Sequence, residues 1–406
     1  MGPLSKYRIV DFTQAWAGPV GSMMLADLGA EVVKIEPPDV GDHVRMWTRA
    51  DLHGMSPYFL SANRNKRSVV IDLKDPAGMA LAADLCARAD AVMENFRPGV
   101  MERLGLGYEA LRARNPGLVY CAMSGYGATG PYADRAAYDL LIQGEGGLMS
   151  VTGQANGDMA KVGVPVVDVM AGMVAGFSVL GALVGRDQSG VGQRIDLSML
   201  EVSSIAMATL LVDHDISGRK AKPMGTGNQL LAPYQAFPTR TTPVVLGILT
   251  EGHWRLFCEK LGIPDLADDP RFKTSPMRVE NREALNDIII PILKQRSADE
   301  WIAFGTAAGL ACGHVNDVAA LSRHPQHLAR DFFRNWTVGG HEVRVPGAAW
   351  RVGPARTAEE ERPPPLLGEH SAEVLREWLD LPAEEIDRLI AARVVRPLGD
   401  ATPGGH

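Results

Sequence analysis

A chain of 406 residues is long enough for a large core and for more than one domain. With 46% hydrophobic and 22% charged residues it has the composition of an ordinary soluble globular protein, and a net charge of −7 argues against binding nucleic acid through its phosphates. The four cysteines (Cys86, Cys121, Cys258 and Cys312) lack CxxC spacing, which argues against a zinc site or disulfide framework and fits reduced thiols in a cytoplasmic protein.

The first half alternates strand and helix patterns. Strands are predicted over 7–12, 31–36, 68–73, 91–94 and 118–123, with helices over 18–28, 76–87 and 108–115. Short β-branched runs separated by helices imply an α/β fold with a parallel sheet, whose ligands sit at the carboxyl ends of the strands. Here those ends carry Thr13-Gln14-Ala15-Trp16, Glu36-Pro37-Pro38, Asn95-Phe96-Arg97-Pro98-Gly99 and Ser124-Gly125-Tyr126-Gly127. The loop Ala17-Gly18-Pro19-Val20-Gly21 lacks G-x-G-x-x-G, so dinucleotide binding is the weaker reading. No Walker A, H-E-x-x-H or G-x-S-x-G sequence occurs. No metal site and no tightly bound cofactor are expected.

From Val164 to Gly185 the chain is apolar or small except for Asp168. Length alone would suit a membrane span, but the carboxylate, the proline and the many small residues favour a buried helix, and no membrane contact is expected. A charge in such a run needs backbone donors or a bound partner. The bland reading is a helix N-cap; the alternative is a catalytic carboxylate. A strand over 192–198 and a helix over 199–211 follow, then a Gly-, Lys- and Pro-rich stretch over 217–227. Strands near 233–239 and 244–249 and helices over 253–261, 278–292 and 298–308 read as a smaller α+β domain.

Several motifs, in order, carry a resemblance. Asp11-Phe-x-x-x-x-Ala-Gly-Pro19, Leu28-Gly-Ala-Glu-Val-Val-Lys-Ile-Glu36, Asn65-Lys-Arg-Ser68, Glu94-Asn-Phe-Arg-Pro-Gly99, Gly125-Tyr-Gly-x-x-Gly-Pro131, Tyr138-Asp-Leu-Leu141 and Val167-Asp168 resemble the class III CoA-transferases. This is the formyl-CoA transferase and carnitine CoA-transferase (CaiB/BaiF) family, and the match runs over nearly the whole chain. It implies a large Rossmann-like CoA-binding domain from residues 1–215 and 330–406, a small α+β domain over 225–329, and an interlocked homodimer. It implies an acyl-CoA and a carboxylic acid as substrates, with the CoA thioester consumed as a substrate.

The resemblance makes Asp168 the nucleophile, passing through an aspartyl anhydride and an aspartyl-CoA thioester. An ordinary aspartate pKa would keep it ionised at neutral pH, and Ala171 and Gly172 would leave room for the acyl group. Tyr138 and Asp139 fall at catalytic positions. Ala15, Trp16, Ala17, Asn95, Phe96, Arg97 and Arg103 match positions that contact CoA or substrate. Trp16 stands where formyl-CoA transferase has a glutamine, which suggests an apolar or larger acyl group. The family's basic residue after the second strand is replaced by Pro37-Pro38; Lys34 and Arg45 are the candidates to compensate. The α-methylacyl-CoA racemases look similar but would need a histidine at Tyr138, which disfavours their acid–base chemistry here. A non-catalytic acyl-CoA-binding protein is the third reading.

Overall fold

A computed structural model describes residues 2–48, 52, 54–155, 157–352 and 361–399. The chain divides into two compact units, one of Met1–Gly147, Val162–Ala208 and Gln326–His406, the other of Leu148–Lys161 and Thr209–Pro325. Residues 148–161 and 209–215, assigned to the large domain from sequence, therefore group with the second unit. The Gly153 carbonyl accepts the Gly225 N–H, and Gly153 bridges Met159, which ties the first of these segments there.

The first unit is built on a seven-stranded sheet. Its parallel strands are β1 (Arg8–Asp11), β2 (Glu31–Glu36), β3 (Lys66–Ile71), β4 (Ala91–Glu94), β5 (Val119–Ser124) and β6 (Arg194–Ser198). They lie in the order β3-β2-β1-β4-β5-β6, with the short strand Val395–Arg396 antiparallel on the outer edge of β3. The chain winds outward from β1 to β3 and then returns to β4 on the other side of β1. The carboxyl ends of β1 and β4 therefore bound the topological switch point, where open α/β sheets bind ligands.

One layer of the core joins Val10, Val33, Val69 and Val92 of the strands to Leu81 and Leu85 of the helix Pro76–Ala87, Leu111 of the helix Tyr108–Arg114, and Val374 and Trp378 of the helix Ser371–Leu379. Elsewhere the helix Ala17–Asp27 packs along the long helix Val166–Ser189. Small residues bring these two backbones together. A Cβ on Gly172 would stand 2.5 Å from the Ala17 carbonyl oxygen, and one on Gly21 would stand 2.7 Å from the Gly172 oxygen. The smallness of Gly172 thus serves helix packing, correcting the expectation that it clears space for an acyl group. Ala171 is likewise fully buried.

Strands of a buried parallel sheet are normally apolar throughout, yet this one carries a column of charge. Asp11 of β1 lies in register with Lys34 of β2, and Lys34 with Ser68 of β3; all three are buried. Lys66 Nζ reaches Asp11 Oδ2 at 3.0 Å, and Arg45 makes a two-point ion pair with Glu36, at 2.8 and 2.7 Å. Burial pushes the Asp11 carboxyl up, but the Lys66 and Lys34 ammonium groups outweigh it and hold the group at about 2.

The second unit has an antiparallel sheet of β7 (Tyr234–Phe237), β8 (Val244–Gly247) and β9 (Ala311–His314), with its own core around Trp254, Phe257, Leu285 and Trp301. Two helices predicted as continuous are broken. Residues 199–211 form Met199–Ala206 and Ala208–Ser217, and 278–292 spans parts of Ser275–Glu280 and Arg282–Leu293. In the first unit, a hairpin of Phe333–Val338 and His341–Pro346 was not anticipated.

Candidate active site

Asp168 occupies the third residue of the long helix, whose N-cap position is Pro165. Proline offers no side-chain acceptor, so the free N–H groups of the first turn need one from elsewhere. Asp139 supplies it. Its Oδ1 accepts the Val167 N–H at 2.9 Å and, more weakly, the Asp168 N–H at 3.4 Å. The N-cap reading of Asp168 is thus corrected: the capping carboxylate is Asp139, at the start of the helix Asp139–Glu145.

Gln143, one turn further along that helix and fully buried, donates from Nε2 to Asp139 Oδ2 at 2.6 Å. Its Oε1 accepts the Val162 N–H at 2.8 Å, fixing the segment that leads into the long helix. Sequence reading missed Gln143. Its only signal was a spacing of four from Asp139, which puts both side chains on one helix face.

The Asp168 carboxylate has no hydrogen-bond partner among the described residues and is half-buried. Burial first, and the negative charge of Asp139 second, raise its pKa from 3.8 to about 7. Position in the first helical turn favours an anion, but desolvation and the neighbouring carboxylate dominate. The expectation of an ordinary aspartate pKa is therefore corrected. What remains is an unpaired, partly desolvated carboxylate, the condition in which an oxygen nucleophile is both available and basic.

Tyr138 immediately precedes Asp139 and is 69% exposed, with no side-chain capping bond. Its backbone is extended. The loop from β1 comes close through its helix: the Ala17 carbonyl lies against Gly172, one turn after Asp168 on the same side. Trp16 precedes Ala17 and meets Tyr58 edge-to-face at 5.4 Å; Tyr58 in turn meets Trp47 at 5.4 Å. The Trp16 indole N–H is buried and has no hydrogen-bond partner among the described residues.

Asn95 turns inward, toward Gln14 of the β1 loop. Phe96 packs against the sheet core, and its N–H donates to Glu94 Oε2 at 2.8 Å. Burial raises the Glu94 carboxyl to about 7, although the Phe96 N–H pulls it down. Arg97, just after β4, and Arg103, at the end of the helix Val100–Arg103, are exposed, and neither makes an ion pair among the described residues. Lys34 and Arg45 cannot substitute for a surface cation. Both are fully buried, Lys34 against Asp42 at 3.0 Å and Arg45 against Glu36. Among the described residues no cluster of His, Cys, Asp and Glu could hold a metal ion.

Residues 4–371 match the model of CoA-transferase family III. The human succinyl-CoA:glutarate CoA-transferase is 35% identical over 396 residues, covering 97% of this chain and 90% of that one. The succinate–glutarate CoA-transferase of Agrobacterium fabrum is 38% identical, covering 92% and 95%. Among solved structures, a CaiB/BaiF family protein from Brucella suis superposes with a TM-score of 0.80 at 35% identity, covering 93% of this chain and 99% of that one. A motif order that runs almost from end to end and a doubly wound sheet agree with these matches: the chain belongs to the family III CoA-transferases.

Proposed function

We propose that CoA is transferred through covalent intermediates on Asp168. The observation that carries this reading is its carboxylate: half-buried, without a hydrogen-bond partner, and beside a second carboxylate that is itself fully engaged. A carboxylate oxygen of Asp168 attacks the thioester carbonyl of the donor, and CoA thiolate leaves. The product is a mixed anhydride. The thiolate then attacks the Asp168 carbonyl, expels the donor acid and leaves an aspartyl-CoA thioester. An acceptor carboxylate attacks that thioester and releases the thiolate again. Attack of the thiolate on the acceptor's carbonyl gives the new CoA ester and restores Asp168. Dividing the exchange in this way replaces one difficult step with easier ones, and the partly desolvated setting protects the anhydride from water.

Tyr138 and Asp139 flank this centre, Asp139 by capping the Asp168 helix. The β1 loop, Ala15 to Ala17, lines the acyl side, with Trp16, Tyr58 and Trp47 as an aromatic wall. Phe96, Arg97 and Arg103 face the CoA; two unpaired guanidinium groups suit its phosphates. Relatives named for succinyl-CoA with glutarate make a short dicarboxylic acid the first acceptor class to test. A second copy of the chain covers the apolar stripe of the long helix, and unpaired cysteines fit a reducing, cytoplasmic setting.

The reading is tested by initial rates with succinyl-CoA, acetyl-CoA and longer acyl-CoA donors against a panel of mono- and dicarboxylates. Parallel-line, ping-pong kinetics with at least one pair, lost by at least about 1,000-fold in Asp168→Ala, is the expected result. Turnover that survives Asp168→Ala would overturn it.

A further inference from the structure

The switch point between β1 and β4 is normally an open crevice in a doubly wound sheet. Here one side chain bridges it. Asn95 Oδ1 accepts the Gln14 N–H at 2.8 Å, while Asn95 Nδ2 donates to the Gln14 carbonyl, also at 2.8 Å. Backbone pairing of the two strands runs to Asp11 and Met93, followed by one more bond from the Phe12 N–H to the Met93 carbonyl. The primary amide of Asn95 then does what a peptide group of a longer β4 would do, and adds a further rung. Aspartate has no N–H to donate, and serine cannot present both partners at that separation.

The other side of the same loop is gripped from β2. Lys34 Nζ donates to the Thr13 carbonyl at 2.5 Å, and Asp42 Oδ1 accepts the Ala15 N–H at 3.1 Å. Lys34 and Asp42 are buried and paired with each other. Between these two grips Ala15 adopts φ 63°, a left-handed conformation that costs a residue with a Cβ and persists only when its surroundings enforce it. The strained turn delivers Trp16 and then Ala17, whose carbonyl abuts Gly172 one turn beyond Asp168. The β1 loop and the Asp168 helix are thus joined by a close backbone approach at Gly172.

We propose that Asn95 is a positioning residue, whose amide bridges the β1 and β4 ends and fixes where Trp16 and the Ala17 helix stand relative to Asp168. Both its polar atoms are spent on Gln14, so its part in the reaction is exerted through the loop. The inference rests on Asp168 as the acyl acceptor. It goes beyond that reading by assigning the switch-point crevice to loop clamping.

The test compares wild type, Asn95→Ala and Asn95→Asp as full-length protein. Asn95→Asp keeps the side-chain size and the acceptor for the Gln14 N–H but replaces the donor with a charged oxygen facing the Gln14 carbonyl, so it breaks the second bond without leaving a cavity. The rate of CoA attachment to Asp168 at saturating succinyl-CoA is measured per folded molecule, alongside the dissociation constant of free CoA. The expected result is a loss of about 100-fold in the attachment rate, since small misplacements cost that much. CoA affinity should change by less than about threefold. A tenfold weaker CoA affinity with an unchanged saturated rate would make Asn95 a direct CoA contact and overturn the proposal, as would no change in either quantity. Failure of wild type to form the adduct with any donor would bring down the Asp168 reading as well; a normal wild type with unaffected variants would bring down this inference alone.

Discussion

Asp168 was visible in the sequence because it is the lone charge in an apolar run, but its acidity was not, since that depends first on its burial in the fold and second on Asp139, 29 positions away. A pKa raised to about 7 leaves the nucleophile largely protonated in mildly acidic solution. kcat/KM for the acyl-CoA donor should therefore rise with pH and level off above about 7, reporting the free enzyme. Asp139→Asn removes the neighbouring negative charge and should move that limb to lower pH, while costing activity through a weaker helix cap. An unmoved limb would mean that the charge of Asp139 does not act on Asp168. The same shift has a consequence for stability. A carboxyl whose folded pKa lies above its unfolded value binds its proton more tightly when folded, so its contribution to stability falls as pH rises between about 4 and 7. Asp168→Asn should then melt higher than wild type at pH 8, and the gain should vanish near pH 4. Gln143 escaped notice because a glutamine within a helical run has no chemistry of its own until its partners are known.

At the scale of elements, the central strands were legible from their apolar, β-branched runs. Predicted bounds for β2 and β4 agree with the structure, and those for β1, β3 and β5 are shifted by one or two residues. The hairpin at 333–346 was missed although two alternating runs flank Gly339-Gly340, because its strands carry many charged and exposed residues. The burial of Lys34, Glu36 and Lys66 was also illegible, since charges in a strand ordinarily mark a solvated face. The contact between the Ala17 helix and the long helix is what joins the β1 loop to Asp168. Gly172→Ala would force a Cβ to within 2.5 Å of the Ala17 carbonyl and 2.9 Å of Val20. The two helices must separate, at a cost of about 1–3 kcal/mol, which thermal or urea unfolding would register. Activity should fall further than the loss of folded protein explains. A variant with wild-type stability and rate would mean that the contact transmits nothing.

For the whole molecule, the long helix is the element whose surroundings matter most. Its run is apolar enough to cross a membrane. One side is spent on the Ala17 helix, where Gly172 and Gly176 meet Gly21, while Gly181 has open space before it. The other side leaves Met173 at 50%, Phe177 at 77% and Val184 at 51% exposure, with Ile205 of a neighbouring helix also bare. Exposed apolar side chains of this kind suit an interface, and the proposed second copy would cover them. Light scattering should give twice the chain mass for wild type and a lower mass, or insoluble protein, for Phe177→Glu; a monomeric wild type would refute the dimer.

The most direct measurement of the central claim is the mass of the peptide carrying Asp168 after brief incubation with an acyl-CoA and acid quenching. A CoA mass increment on Asp168, removed by hydroxylamine and absent in Asp168→Asn, is the predicted result. Rapid CoA transfer with the Asp168 peptide unmodified throughout turnover would contradict it.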